Sequence, residues 1–264
     1  NVVPTNVSGG QVGFGLNYAG SVTGGQFSFG ANIVPGTVDA GQVGFGLNYA
    51  GSITGGQFSF GVNAVSGTAK GGQVGALNYA TRCEGWQVGA LNISDTITGT
   101  SLGILSFALH GYHRVDVGTT DILPVQLTLR TGTRQFHNIL GISTSAKDDG
   151  RWGFLYGFGS ELRLGDLDHI NIELTGEQVM ETARWIHAVN IVGRFGIHYT
   201  RDLGKRLLLS AGPNFNVLAS NWRNADHSAF LSQLAPDEPM YEEVRGTTQL
   251  QGWLGFRAGI GVRF

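Results

Sequence analysis

The chain has little of what most functional classes are built from. It holds one cysteine, Cys83, which excludes an internal disulfide framework and any multi-cysteine metal site. Charged residues make up 14% of the 264 positions, against about 25% in an ordinary soluble domain. The formal net charge is −2, which leaves no electrostatic footprint for nucleic acid. No apolar run approaches the roughly 20 residues of a transmembrane helix. Proline is scarce and no Gly-X-Y period occurs, so a collagen is excluded. No signal-peptide pattern is present, and Asn1 opens in a turn-like segment, as expected of a mature or trimmed form. Hydrophobic residues are nevertheless 41% of the total, too many for a disordered chain.

Glycine is abundant, at 43 residues, more than twice its usual share of about 7%. Much of it lies in repeats. QVGFGLNYAGS runs from Gln11 to Ser21 and returns from Gln42 to Ser52. Glutamines recur at Gln11, Gln26, Gln42, Gln57, Gln73 and Gln87, and asparagines at Asn17, Asn32, Asn48, Asn63, Asn78 and Asn92. Within a unit, Val12, Phe14, Leu16 and Tyr18 share one parity, and Gly13, Gly15, Asn17 and Ala19 share the other. Successive side chains of a strand point to opposite faces, so each unit reads as a strand with one oily and one small, polar face. The spacing of three and four that marks a helix is absent. QVGALNYA is one residue shorter than QVGFGLNYA, so Val74 and Leu77 cannot share a face without a bulge.

From about Ser101 the repeats stop but alternation continues. Strands are expected near 101–116, 122–132, 134–144, 151–165, 168–180, 186–201, 206–220 and 249–264. In one of them Phe154, Tyr156, Phe158 and Leu162 oppose Gly153, Gly157, Gly159 and Glu161. In another, Ile191, Phe195, Ile197 and Tyr199 oppose Asn190, Arg194, Gly196 and His198. Connections such as KDDG, GDLD and RDLGK suit hairpin turns. The long connection over about 221–248 is the expected external loop and a place for a short helix.

Two architectures fit. The favoured one is an all-β, transmembrane antiparallel barrel of about 14 strands, with residues 1–100 supplying the first strands as duplicated hairpins and 101–264 the rest. The alternative is an eight-stranded barrel preceded by a β-solenoid. There the glutamines and asparagines would stack in ladders while Phe, Leu and Tyr fill the interior. A repeat of about 15 residues is short for a solenoid coil, and alternating turn lengths suit hairpins. A soluble β fold would also alternate. Low charge, the final strand and aromatics near strand ends (Tyr18, Tyr49, Tyr79, Trp86, Trp152, Tyr199, Trp253) favour a barrel in lipid with aromatic girdles.

The final strand, GWLGFRAGIGVRF, places Leu254, Phe256, Ala258, Ile260, Val262 and Phe264 on one face, against Trp253, Gly255, Arg257, Gly259, Gly261 and Arg263. It resembles the C-terminal strand of Gram-negative outer-membrane β-barrels. That resemblance implies a bacterial outer-membrane location, Phe264 as an assembly signal, and outer-membrane lipid and the barrel-assembly machinery as partners. The repeats resemble those of bacterial surface-repeat proteins with a G-x-Q-x-G-x-x-N-x-A motif, a family that implies no particular activity.

Arg130, Arg134, Glu161, Arg163, Glu173, Glu177, Arg194, His198, Arg257 and Arg263 fall on the expected lumen face, as an ion-pair network or a selectivity constriction. The six repeat asparagines are expected to face the lumen and bond each other; sugar binding is the sharper alternative. His110 and His113 stand three apart, on opposite faces of a strand, and are poor co-ligands for a metal; a rim or turn role is expected. Cys83 reads as an isolated thiol, because a lipid anchor needs it at the mature N-terminus. The glycine-rich runs lack the lysine and the strand–loop–helix context of a phosphate loop, and no spaced Ser–His–acid set stands out. No cofactor, metal or enzymatic activity is expected. The expected function is a porin-like passive channel for small polar solutes, with a homo-oligomer or a lipoprotein as a further candidate partner. A structural, surface-interaction protein displaying a repeat module is the second reading.

Overall fold

A computed structural model describes residues 1–147 and 150–264; Asp148 and Asp149, in the expected KDDG turn, lie outside the described residues. All its regular elements are strands. Two compact units result, Asn1–Tyr112 with Thr131–His137, and His113–Arg130 with Asn138–Phe264.

The first unit is a β-solenoid. After β1 (Val2–Val7), three-residue and longer strands alternate: β2 (Gln11–Gly13), β3 (Leu16–Val22), β4 (Gln26–Ser28), β5 (Ala31–Val38), β6 (Gln42–Gly44) and β7 (Leu47–Ile53). The series continues through β8 (Gln57–Ser59), β9 (Val62–Ala69), β10 (Gly72–Val74), β11 (Leu77–Cys83), β12 (Trp86–Ile97) and β13 (Thr100–Ala108). Each coil is one short strand, a corner, one long strand and a turn. Short strands stack on short and long on long, always in parallel, so Gln26 pairs with Gln11 and Gln42, and Asn32 with Asn17 and Asn48. One repeat is therefore one coil, in place of one arm of a hairpin, and the repeats do not extend the barrel to about 14 strands.

The coil interior also differs from the sequence expectation. Glutamine and asparagine do form ladders, but Phe, Leu and Tyr do not fill the inside. The interior holds the amides together with small aliphatic rows such as Ala19, Val34, Ala50 and Val65, all fully buried. Two opposed strands leave a slot too narrow for rings, and the short-strand carbonyls that face it need donors. Phe14, Phe29, Phe45 and Phe60 therefore line the outside of the corner. The residue missing from QVGALNYA is lost at that same corner, where Ala76 replaces a Phe–Gly pair.

The second unit is centred on a closed antiparallel barrel of eight strands: β14 (Tyr112–Thr120), β15 (Val125–Gly132), β16 (His137–Thr144), β17 (Trp152–Arg163), β18 (Asp168–Met180), β19 (Asn190–Asp202), β20 (Leu207–Ser220) and, after β21 (Tyr241–Arg245), β22 (Thr248–Arg263). Closure is made by β14 against β22, from Arg114↔Arg263 to Thr120↔Arg257. The expected strand over 101–116 is thus two strands, one in each fold. No helix forms over 221–248; an isolated bridge, Arg223↔Phe230, and β21 occupy that connection. Alternation is sharp: β19 buries Arg194, Gly196, His198 and Thr200 and exposes Phe195, Ile197 and Tyr199. Trp253, expected in a girdle, instead faces inward and is buried with Ile122, Leu123 and Leu234.

Candidate functional site

The barrel interior gathers charges that the strand period points inward. They form a chain of alternating sign. At one end Asp202 accepts from Arg263 at 2.7 Å, and Arg263 also donates to Glu161 at 3.0 Å. Glu161 lies 3.9 Å from Arg114, which holds Asp116 at 2.6 Å. Asp116 also pairs with Arg130, and Arg130 reaches Glu173 with two nitrogens, at 2.8 and 3.1 Å to one carboxylate oxygen. Arg257 closes the chain 3.5 Å from Glu173, and also bonds Gln126 and Thr128. A separate pair, Arg194 with Glu177, is joined by Ser143. Five arginines thus face five carboxylates, and burial away from water makes each dependent on its neighbours.

Two histidines join the network at its sides. His198 lies 3.6 Å from Glu173 and 2.8 Å from the Asn214 oxygen; His169 lies 3.1 Å from Asp202. The remaining space among Gln126, Thr128, Glu173, Arg194 and His198 is about 10 Å³, the room of roughly one water. Toward the other end the polar fill gives way to an apolar cluster in which Leu234, from the long connection, packs with Ile122, Leu123, Val179, Leu218 and Trp253. Trp253 Nε1 donates to Asp121 at 2.7 Å, and Asn216 donates to the same oxygen at 3.0 Å. Glu181 fastens the long connection, accepting from Ser232 at 2.6 Å and from the Gln233 amide at 2.9 Å.

Of the residues singled out from the sequence, Arg130, Glu161, Glu173, Glu177, Arg194, His198 and Arg257 are buried in this interior, and Arg263 sits at its edge. Arg134 and Arg163 are not there: both are exposed, Arg134 in a hairpin turn above the Tyr112 ring and Arg163 at the last position of β17, paired with Asp166. Strand parity carries no signal of where the barrel interior ends, so it points Arg163 inward at the last position of β17 and Arg134 inward in the turn before β16. Arg114, Asp116, His169 and Asp202 belong to the network and were missed. Arg114 and Asp116 share the parity of an inward face, but the strand was expected to end there. His113 stacks on Phe264 with centroids 5.6 Å apart, and His110 is exposed.

In the solenoid the six repeat asparagines are fully buried in the coil, not in a barrel lumen. Asn17, Asn32, Asn48, Asn63 and Asn78 each donate to the next coil's amide oxygen, for example Asn32 to Asn48 at 2.8 Å and Asn48 to Asn63 at 2.9 Å, and Asn92 donates to Ser106 Oγ at 3.3 Å. The glutamine ladder runs the other way: Gln42 donates back to Gln26 at 2.9 Å and Gln57 back to Gln42 at 2.8 Å. Two amide rows of opposite polarity cancel much of each other's dipole. The second proton of each asparagine reaches a carbonyl of the next coil's short-strand segment, as from Asn48 to Phe58 O at 2.7 Å. The asparagine amides are buried and spent on each other, on Ser106 and on the backbone, which leaves no exposed asparagine row to meet a sugar.

No group of three or more metal-ligating side chains occurs among the described residues. No family model matches the chain, and no curated protein or solved structure matches it either.

Proposed function

We propose that the chain is a structural protein of the bacterial outer membrane, in which the eight-stranded barrel is a closed anchor and the solenoid is the interacting part. The observation that carries this is the filled interior. A barrel of eight strands encloses only enough room for side chains, and here a chain of ion pairs runs through it and leaves about 10 Å³ among Gln126, Thr128, Glu173, Arg194 and His198.

The barrel exterior supports a lipid setting. Phe154, Leu174, Phe195, Ile197, Phe215, Leu254, Phe256 and Ile260 all face outward and are more than a third exposed, while the arginines and carboxylates point in. Water would favour the reverse. In hydrocarbon a closed sheet also leaves no backbone group unpaired. Strands of 12 to 16 residues over β17–β20 and β22 are long enough to cross a bilayer when tilted.

Planar-bilayer recording separates this reading from a porin-like channel for small polar solutes. Purified protein inserted in the bilayer, with insertion verified by protection of the barrel from protease, is expected to give no conductance steps. Reproducible steps that scale with protein added would replace the anchor by a pore.

A further inference from the structure

We propose that the solenoid has its own lipid-contacting edge, a ridge of aromatic corners that rests in the hydrocarbon of a bilayer; this rests on the membrane setting proposed above. The crest is the row Phe14, Phe29, Phe45 and Phe60, with ring centroids 5.4, 4.9 and 5.2 Å apart, the first two pairs stacked and the last tilted. These rings are 85, 49, 43 and 64% exposed, leaving a crest of roughly 500 Å² of bare aromatic surface. Phe27 and Phe58 pack edge-on beside it.

Polarity is graded away from the crest. Tyrosines Tyr18, Tyr49 and Tyr79 stand half-buried partway along the long strands, and Tyr49 and Tyr79 share their hydroxyls with Ser66 and Thr81. All five charged side chains of residues 1–112 (Asp39, Lys70, Arg82, Glu84 and Asp95) lie on the second half of the long strands or in the turns beyond. Phenylalanine at the tip, tyrosine at mid-depth and charge farthest away is the order of a surface helix or a barrel girdle at a membrane.

Lipid fits the crest better than a protein does, for two reasons. The corner backbone is already satisfied from coil to coil: Ala31 N donates to Gly15 O at 2.8 Å, Val62 N to Gly46 O at 2.8 Å, and Ser28 Oγ to Gly15 O at 2.9 Å. A protein partner would find few groups to bond, whereas hydrocarbon demands that none be left over. The crest is also convex and smaller than the roughly 800 Å² per partner that a stable protein complex buries. A second copy laid ridge to ridge would cover only a line of it. Fluid acyl chains can wrap it.

The test uses the full chain in a Cys83→Ala background, a change to the residue already present at the paired position Ala69. Single cysteines are introduced by Phe45→Cys and Phe60→Cys on the crest, Asp39→Cys on the far edge and Phe195→Cys on the barrel exterior. Each is labelled with an environment-sensitive fluorophore and reconstituted in phosphatidylcholine vesicles carrying nitroxide acyl chains. Quenching at both crest sites is expected to exceed that at Asp39→Cys several-fold, with iodide from the water giving the opposite order. Crest labels open to iodide and untouched by the acyl nitroxide would overturn the proposal. Crest labels shielded from both quenchers would overturn it too, because protein then covers the ridge. The Phe195→Cys label reports the anchor separately: its failure to quench removes the membrane-spanning reading, whatever the crest sites do.

Discussion

At the scale of single residues, the solenoid is stabilised by amides that cannot be exchanged for their acids. Asn48 accepts from Asn32 and donates to Phe58 O and Asn63 Oδ1. Asn48→Asp keeps the acceptor and loses both donors, so two buried oxygens face a carboxylate. Each orphaned acceptor costs about 1–3 kcal/mol, and the guanidinium midpoint of the solenoid should fall accordingly. The ladder's end shows the same logic: Gln87 Oε1 has no hydrogen-bond partner among the described residues, because the next coil places the shorter Ser101 opposite it. Cys83 lies in the aliphatic rows of the same interior, where burial pushes its thiol up to about 11. It should resist disulfide reagents at pH 8 until the solenoid opens. A neutral thiol costs folding nothing below its unfolded pKa of about 8.5. Above that the unfolded state ionises first, so stability should fall as pH rises toward the folded value, and a denaturation series in alkaline buffer should show a smaller fall for Cys83→Ala.

At the scale of elements, the sequence made faces legible and pairing directions illegible. Parity alone placed Arg194 and His198 inward and Phe195 and Ile197 outward, and the structure agrees. Parity is identical for parallel and antiparallel strands, however, so Gln11–Val22 read as well as a hairpin arm as it did as a coil. What distinguishes them is the corner after the short strand. Gly30 sits there so close to the preceding coil that a Cβ would overlap the Gly15 carbonyl, a coil-to-coil approach that a hairpin does not need. The repeated F-G pair recorded this, but the pair also fits a strand interior in which glycine alternates with phenylalanine. The shortened unit was the better clue. With Ala76 in place of a Phe–Gly pair the corner tightens, and one coil later, where Ala90 takes that place, short and long strands merge into β12. The aromatic row therefore stops after Phe60. The network residues missed in the barrel have the same origin. Arg114 and Asp116 became legible only once β14 was known to begin at Tyr112 and run to Thr120.

At the scale of the whole molecule, two kinds of cooperativity share one chain. A solenoid is quasi-linear: each coil touches its neighbours, and stability accumulates coil by coil. A closed barrel has no end from which to fray, and its interior chain of ion pairs ties β14, β15, β17, β18, β19 and β22 together. Removing Arg130 leaves Asp116 and Glu173 buried with fewer counter-charges, and breaking such a pair costs about 3–5 kcal/mol. In detergent, guanidinium unfolding should accordingly resolve two transitions. Arg130→Met should lower only the barrel transition, read by loss of resistance to proteolysis within 138–264. Asn48→Asp should lower only the solenoid transition, read by exposure of the Cys83 thiol. The two substitutions act on different networks without a shared partner, so their effects should add in the double variant. A single transition, shifted by either change, would mean that coils and barrel fold as one cooperative body, and the anchor would then be inseparable from what it carries.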